Sequence, residues 1–600
     1  MDNLSSVIAE KLREQTSSLV EVFTQRLSSL KNRPETAVLI KQENKESAVE
    51  TIKDFVDQDG NQAVGIDGSM DYDERLEMLL FYICATAFRC PLKVEGEIGP
   101  ELRKAERDSK LSVSAAVPLW LEDISDVAKS SQFIETDFDF ERSVDRIPYG
   151  IMTLAELSLA LKSLENNKVK IIFLDRPISG TFGPASRDLR LLLRSGVSSL
   201  TAFKTPHGEL TMLDIGIASV LGPGNVYVPM RALYLVYAGI QKLLEKGELS
   251  RSQLAHELHL DEAGIDRLTK RLNHMNEDHG GQLLEKSDFS FKLCDGVTHY
   301  WDRVLDVSKQ VMEKVFEGEG HPLKMEEDRW LTVLDLNAVN AFLVFQLMAE
   351  SIAKKVLVIG ITKDTSATDF TRSVIPLAVR QGLLNLKSPL PNLKNDRAFL
   401  TMMAAVNAKT VPTPWRTFGY DACFTTLVEN RKGEEVHLRA ARKIVSRERL
   451  FVKAYFQLRK FETDSLARSP VFVYDRFFNK AYDGTLTMPM SVLERGKVTE
   501  IDPYFEGSSL GKVDNFILCL LSCSDNPEVL EACGHNQLLY LADKAVKAEI
   551  KLMRSMLRSV ADLELGTLAR RERIFSISRR FRDLRAESEM ARARAAQEVS

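Results

Sequence analysis

Gln62-Ala63-Val64-Gly65-Ile66-Asp67-Gly68-Ser69 decides the fold. Ala63 to Ile66 is a short apolar run and reads as a buried strand. It ends on an acidic residue, and Gly68 then permits a sharp turn. Asp67 is thereby expected just past the carboxyl end of a central strand, the edge at which open α/β sheets gather their ligands. The design recurs downstream: Val169-Lys170-Ile171-Ile172-Phe173-Leu174 reads as a strand, and Asp175-Arg176-Pro177 ends it. Two neighbouring strands that each end in a carboxylate make a site for a divalent metal ion.

The rest of the chain bounds the class. At 600 residues it exceeds one ordinary core, so two or three domains are expected. With 44% apolar and 28% charged residues the composition is that of an ordinary soluble protein. A net charge of −5 supplies no global attraction to nucleic acid, so any DNA-binding surface must be a local patch. No run approaches 18 apolar residues, and the N-terminus lacks a signal-peptide core; the expectation is a cytoplasmic protein with no membrane contact. The seven cysteines form no C-x-x-C pair, against a disulfide framework or a zinc ribbon. Cys519 and Cys523 share a helix face inside an apolar run and read as core. No G-x-x-x-x-G-K-[ST] is present, so the chain itself should not hydrolyse nucleotides.

In chain order, residues 1–60 form an N-terminal helical segment. Its stripe is Val7, Ile8, Leu12, Leu19, Val20, Phe23, Leu27 and Leu30, and a polar connector follows over 32–61. The core begins over 61–230. There Leu76 to Phe88 is either a strand or a buried helix, and 101–150 reads as helical, with an acidic patch at Glu135, Asp137, Asp139 and Glu141. Thr153 to Leu164 is a helix striped by Leu154, Leu157, Leu161 and Leu164. Glu156 falls roughly 110° from that stripe's centre at about 100° per residue, on the border of the buried face.

Residues 231–296 read as a unit of their own. Ala232 to Leu244, a serine-capped helix from Ser250 and a third helix from Asp261 precede a hairpin over Gln282–Glu285 and Phe289–Leu293. Helix, turn, helix and wing resembles a winged-helix module. Arg267, Lys270 and Arg271 on its third helix are offset by Glu262 and Asp266, which favours an architectural or protein-binding role. His256-Glu257-Leu258-His259 lacks H-E-x-x-H spacing and reads as surface. A helical connector spans 297–350, and the core resumes over 351–560 with a strand at Val356 to Ile361. Further strands lie at Phe451–Phe456 and Val471–Tyr474, and a helix over Gly534–Met556 faces Leu538, Leu541, Ala542, Ala545 and Ala548 inward. Residues 561–600 are an arginine-rich helical tail, solvated or contacting phosphates.

Hydrolysing a phosphodiester needs an activated water and neutralisation of charge on the attacking and leaving oxygens, which two divalent ions about 3.5–4 Å apart provide. Hard cations such as Mg2+ and Mn2+ prefer carboxylate oxygens. Asp67 and Asp175 suit that role, Glu156 can complete the set, and Lys363 after its strand can hold a phosphate. The plain alternative is that these acids are strand-end turn residues.

The ordered series Ile66-Asp67-Gly68-Ser69, then Glu156, then Phe173-Leu174-Asp175-Arg176-Pro177-Ile178, then Gly360-Ile361-Thr362-Lys363 resembles the NurA nucleases. Near the C-terminus, His535-Asn536-Gln537-Leu538-Leu539-Tyr540-Leu541-Ala542-Asp543 is similar to the family's Y-P-x-x-L-x-x-A-[HD]. Two positions depart: His535 stands where tyrosine is usual, and Arg176 where glycine is frequent.

The resemblance implies an α/β fold: an RNase H-like mixed sheet of about five strands flanked by helices, with the winged-helix-like domain inserted and helical termini. It implies a homodimer docked on a HerA-type hexameric ATPase, in DNA end processing or anti-phage defence. The implied activity is that of a 5′-to-3′ exonuclease and single-strand endonuclease using manganese or magnesium. Carried over by position, Asp67, Glu156, Asp175 and Asp543 would be metal ligands in a two-metal site. His535 would be catalytic, reaching in from the loop before its helix, and Lys363, Ser69 and Arg176 would meet the DNA. A competing reading is a catalytically silent DNA-binding or scaffold subunit; a transcription regulator built on the winged helix is a third.

Overall fold

The computed structural model describes residues 4–31, 40–56, 60–75, 78–93, 99–128, 140–223, 234–285, 290–326, 329–363, 365–380, 382, 384–386, 390, 393–421, 427–432, 435–440, 450–459, 468–483, 490–494, 497–501, 504–506, 511–525 and 534–571. The acidic patch from Glu135 to Asp139 and residues 572–600 of the arginine-rich tail lie outside them.

A mixed sheet of 11 strands, rather than about five, organises the chain. The strands are β1 Ile40–Gln42, β2 Gln62–Arg75, β3 Met78–Lys93, β4 Gly99–Pro100, β5 Glu106–Trp120, β6 Val169–Leu174, β7 Leu357–Thr362, β8 Trp415–Thr417, β9 Tyr420–Asp421, β10 Phe451–Gln457 and β11 Phe472–Phe477. Their order is β1-β8-β10-β11-β7-β6-β2-β3-β4, with β9 paired to β10 and β5 to β3. Only β2, β6 and β7 run parallel to their neighbours among themselves, in register Ile66↔Leu174 and Gly360↔Leu174. The outer strands are antiparallel and extend this parallel centre on both sides.

Six helices matter here: α1 Leu4–Leu30, α2 Lys45–Phe55, α3 Phe140–Ser163, α4 Ile178–Ser195, α5 Val333–Ala353 and α6 Gln537–Arg571. Side chains alternate across a strand, so each central strand feeds two cores. Val64, Ile66, Ile172, Leu174 and Val358 pack with α3, α4 and α5. Ala63, Ile171, Phe173, Leu357, Ile359 and Ile361 pack on the opposite face, with α2, the helix Lys512–Cys523 and the start of α6. α5 has the length and composition to cross a membrane, yet its most apolar window is 67% buried inside the protein. It is a core helix, apolar all round because its neighbours surround it.

Several expectations are corrected. Asp67 does not end its strand: β2 continues to Arg75 against β3, and only the parallel pairing with β6 stops at Ile66. Residues 106–120 are a strand, because Leu111, Val113, Ala115, Val117 and Leu119 recur with period two. The polar connector holds α2, capped by Asn44, whose side chain accepts from the Ser47 N–H. α6 buries Leu538, Leu539, Ala542, Val546 and Ile550, a stripe rotated from the expected one, because the helix begins at Gln537 and crosses β2 and β3. In α1 Leu30 is buried, whereas Leu19, Val20 and Phe23 are exposed.

Within 231–296 stand helices Leu235–Lys246, Arg251–Glu257 and Glu262–Asp278, the second capped by Ser250 as expected and the third by Asp261. Among the described residues the expected hairpin shows a Leu284–Leu293 bridge, Ser290–Phe291 pairs with Leu249–Ser250, and Phe289 lies outside them. Arg251 spans to Glu262 and Asp266, occupying the acids at the start of the third helix.

Candidate active site

The carboxyl ends of the three parallel strands lie side by side, and each delivers one polar residue. β2 gives Asp67 where its pairing with β6 stops, β6 gives Asp175, and β7 gives Lys363. The Asp175 N–H donates to the Ile66 carbonyl at 3.1 Å, which fixes the two acid-bearing backbones together. By strand alternation all three side chains point to the face covered by α6. Asp175 accepts from Lys363 Nζ at 2.7 Å and lies close enough to Asp67 for the two carboxylates to act on each other. Asp543, one and a half turns into α6, is close enough to act on all three electrostatically, and Lys547 pairs with it at 2.7 Å.

Glu156 reaches the same edge from the other face. It is 1% exposed, not a border residue, and the cause is Gly68. A Cβ there would sit 2.6 Å from Glu156 Oε1 and 2.9 Å from Met152 Cγ, so glycine admits α3 to the sheet. The glycine serves close approach, not a turn. Arg176, next after Asp175 and so on the α3 side, grips both Glu156 oxygens and donates to Thr153 Oγ1 at 2.6 Å. At 4% exposure it faces Glu156 and not solvent, away from the DNA contact expected of it. Ser69, on the Asp67 face of β2, is half-buried.

The electrostatics follow from burying like charges. Burial first, then the Asp175 and Glu156 carboxylates, hold Asp67 well above the usual range. Burial raises Asp175 as well, against the pull of Lys363. Burial works against the Arg176 cation, but Glu156 outweighs it and raises its pKa. Lys363 is raised likewise, with Asp175, Asp67 and Asp543 outweighing burial. Asp175, Glu156 and Asp543 therefore each have a cation at hand, and Asp67 instead accepts the Gly68 N–H at 2.8 Å. Among the described residues, no three of these acids place donor atoms within 4.8 Å of one another.

His535 lies in the loop before α6, as expected. It is 4% exposed, its ring centre lies 5.7 Å from that of Phe472 with the planes tilted by 36°, and neither ring nitrogen has a hydrogen-bond partner among the described residues. Burial, then Lys363, pushes it down to about 3, so its imidazole is neutral. Phe472 is level with Lys363 across the β7–β11 register, which sets His535 at the same sheet edge.

Two supporting residues escaped the sequence reading. Asp475 on β11 accepts from Ile178 N at 2.9 Å, Ser179 N at 2.7 Å and the Ser179 hydroxyl, capping α4 directly after the Asp175–Arg176 corner. Gly360 makes room for it: a Cβ would meet that carboxylate and come within 2.5 Å of the Arg176 carbonyl. The signal was present, since Val471-Phe472-Val473-Tyr474-Asp475 repeats the apolar-run-then-acid pattern. Thr153 had none; a threonine one turn before Glu156 is ordinary in a helix.

Asp67 and Asp175, two carboxylates whose pKa is raised by burial, offer oxygen donors of the kind hard divalent cations take, and the His535 nitrogens lack hydrogen-bond partners among the described residues.

No family model matches the chain, and no curated protein matches it. Solved structures do. The NurA nuclease from Sulfolobus solfataricus is 12% identical, with 94% of this chain and 98% of that one covered at a TM-score of 0.34. A structure of NurA with manganese is 13% identical, covering 91% and 98% at 0.29. NurA bound to dAMP and manganese is 10% identical, covering 89% and 93% at 0.29.

Proposed function

We propose that this chain is a divalent-metal-dependent deoxyribonuclease whose active site is the edge formed by Asp67, Asp175, Lys363, Asp543 and His535. The observation that carries the reading is the delivery of two carboxylates and a lysine onto one face, from the edge where the three adjacent strands stop pairing in parallel. Asp67, Asp175 and Asp543 would hold Mn2+ or Mg2+ in a site of two ions, which supplies an activated water and charge neutralisation at the scissile phosphate. Lys363, which pairs with Asp175, would hold a phosphate oxygen as a point charge. Neutral His535, with both ring nitrogens unpartnered among the described residues, would offer a lone pair to a cation or to the activated water. Glu156, neutralised by Arg176, which Thr153 holds in turn, would fix α3 against Gly68 and orient the Asp67 strand in place of the ligand role that position alone implied.

The motif series similar to the NurA family supports the finer parts of the reading. These are 5′-to-3′ and single-strand cutting, a second copy of the chain, and a HerA-type hexameric ATPase that feeds DNA in end processing or anti-phage defence. The winged-helix-like unit would then be an insertion in that assembly. One observation favours the silent-scaffold reading instead: three of the four acids already have a basic partner. Labelled linear and circular DNA incubated with the purified protein and Mn2+ separates the two. Cleavage by wild type and its loss in Asp67→Asn, with a Tm in metal-free buffer no lower than wild type, support the nuclease. Equal cleavage by both proteins, or none by wild type with Mn2+ or Mg2+, overturns it.

A further inference from the structure

A second cluster of ligating side chains lies far from the acidic edge in sequence and differs from it in chemistry. His207 is at the tip of a tight hairpin joining Lys204–Thr205 to Gly208–Glu209. Gly208 takes φ +97, which a side chain rarely adopts, and the Thr205 hydroxyl donates to the Gly208 carbonyl at 2.7 Å. His299 caps the helix Tyr300–Phe316, and Asp302 is in its first turn. The two imidazoles face each other, ring centres 5.0 Å apart and planes within 16°. His299 Nδ1 lies 2.9 Å from Asp302 Oδ2, and one donor atom of each residue falls within 4.8 Å of the other two. All three side chains are exposed.

Taken alone, the His299–Asp302 contact is an ordinary first-turn pair. What raises it above that is the clamp beneath, which brings in His207 from a distant segment. Arg303, 6% exposed, donates from Nη1 to the His207 carbonyl at 3.2 Å and from Nη2 to the Gly296 carbonyl at 2.6 Å. The same guanidinium grips Asp214 at 3.0 and 2.6 Å, and Asp214 is locked with Thr211 in a capping box. Gln310 of the same helix donates to the Lys204 carbonyl at 2.8 Å. A buried ion pair thus fixes both backbones, while the donors that meet above it are free to turn.

We infer that His207, His299 and Asp302 form a surface site for a borderline transition-metal ion, Zn2+ first, separate from the site proposed for the nuclease reaction. Two imidazoles and one carboxylate suit zinc, whereas Mg2+ and Ca2+ take mostly oxygen donors. Tetrahedral zinc with ligands at about 2.0–2.1 Å needs donors about 3.3 Å apart, so exposed rotamers close the remaining gap and water fills the fourth position. The ion staples the 204–209 hairpin to the helix.

Isothermal titration of the metal-free full chain with Zn2+ in excess Mg2+ tests this, with Co2+ absorption as the spectroscopic readout of a nitrogen-and-oxygen site. One equivalent should bind the wild type and Asp67→Asn alike. His207→Gln and His299→Gln should each weaken binding at least about tenfold, with Tm in metal-free buffer unchanged because the side chains are exposed. Wild-type protein that takes up no zinc under excess Mg2+ overturns the proposal, as does uptake that both histidine variants retain.

Discussion

At the scale of single residues the site is held by what cannot be enlarged or unpaired. Gly68→Ala would press a methyl group onto Glu156 and Met152, and overpacking of this kind costs about 1–3 kcal/mol. A denaturation midpoint equal to wild type would show that α3 has room to retreat. Arg176→Met leaves the Glu156 carboxylate buried without its cation, a loss of about 3–5 kcal/mol. Adding Glu156→Gln should recover most of that, because removing both charges is far cheaper than removing one. A double variant no more stable than Arg176→Met alone would show that Glu156 is not what Arg176 compensates.

At the scale of elements, pH dependence belongs to the loop that enters α6. Unfolded, His535 titrates near 6.5, whereas in the fold burial and Lys363 keep it neutral down to about 3. Between those values only the unfolded chain takes the proton. Stability therefore falls as pH drops through that window, by at most about 1.4 kcal/mol per pH unit. Urea midpoints of His535→Gln should decline less steeply than wild type below pH 6.5; parallel curves would place the acid sensitivity elsewhere. The elements also show how far the sequence could be read. The buried stretches 63–66, 169–174 and 356–361 were visible because both their faces are buried, which leaves a continuous apolar run, although β2 runs on past Ile66 to Arg75. β5 was hidden because only alternate residues are apolar and charged ones interrupt the pattern. The convergence of Asp67, Asp175 and Lys363 was legible once those strands were placed side by side. The burial of Glu156 was not, since helix periodicity carries no information about a glycine across the interface. The register of α6 was lost by the same logic: its stripe answers to Gly65, where a Cβ would stand 2.6 Å from that of Leu538.

At the scale of the whole molecule, the acidic edge sets function against stability. Above its raised pKa Asp67 is an ionised carboxylate buried among others, and that ionisation opposes folding. In metal-free buffer at pH 8, Asp67→Asn should raise Tm, with a gain on the order of 1 kcal/mol. Mn2+ at a hundredfold over its Kd should stabilise wild type by about 2.7 kcal/mol and the variant by much less. Equal Tm shifts in calorimetry would remove Asp67 from the metal site. The Asp475 carboxylate that passes over Gly360 to reach the start of α4 links three segments that are remote in the chain. Neither position is able to drift alone: a side chain at 360 evicts the carboxylate, and a shorter residue at 475 leaves the helix start uncapped above a hollow. Among diverged homologues the two positions should therefore change as a pair, writing the contact between β7 and β11 into the pattern of substitutions.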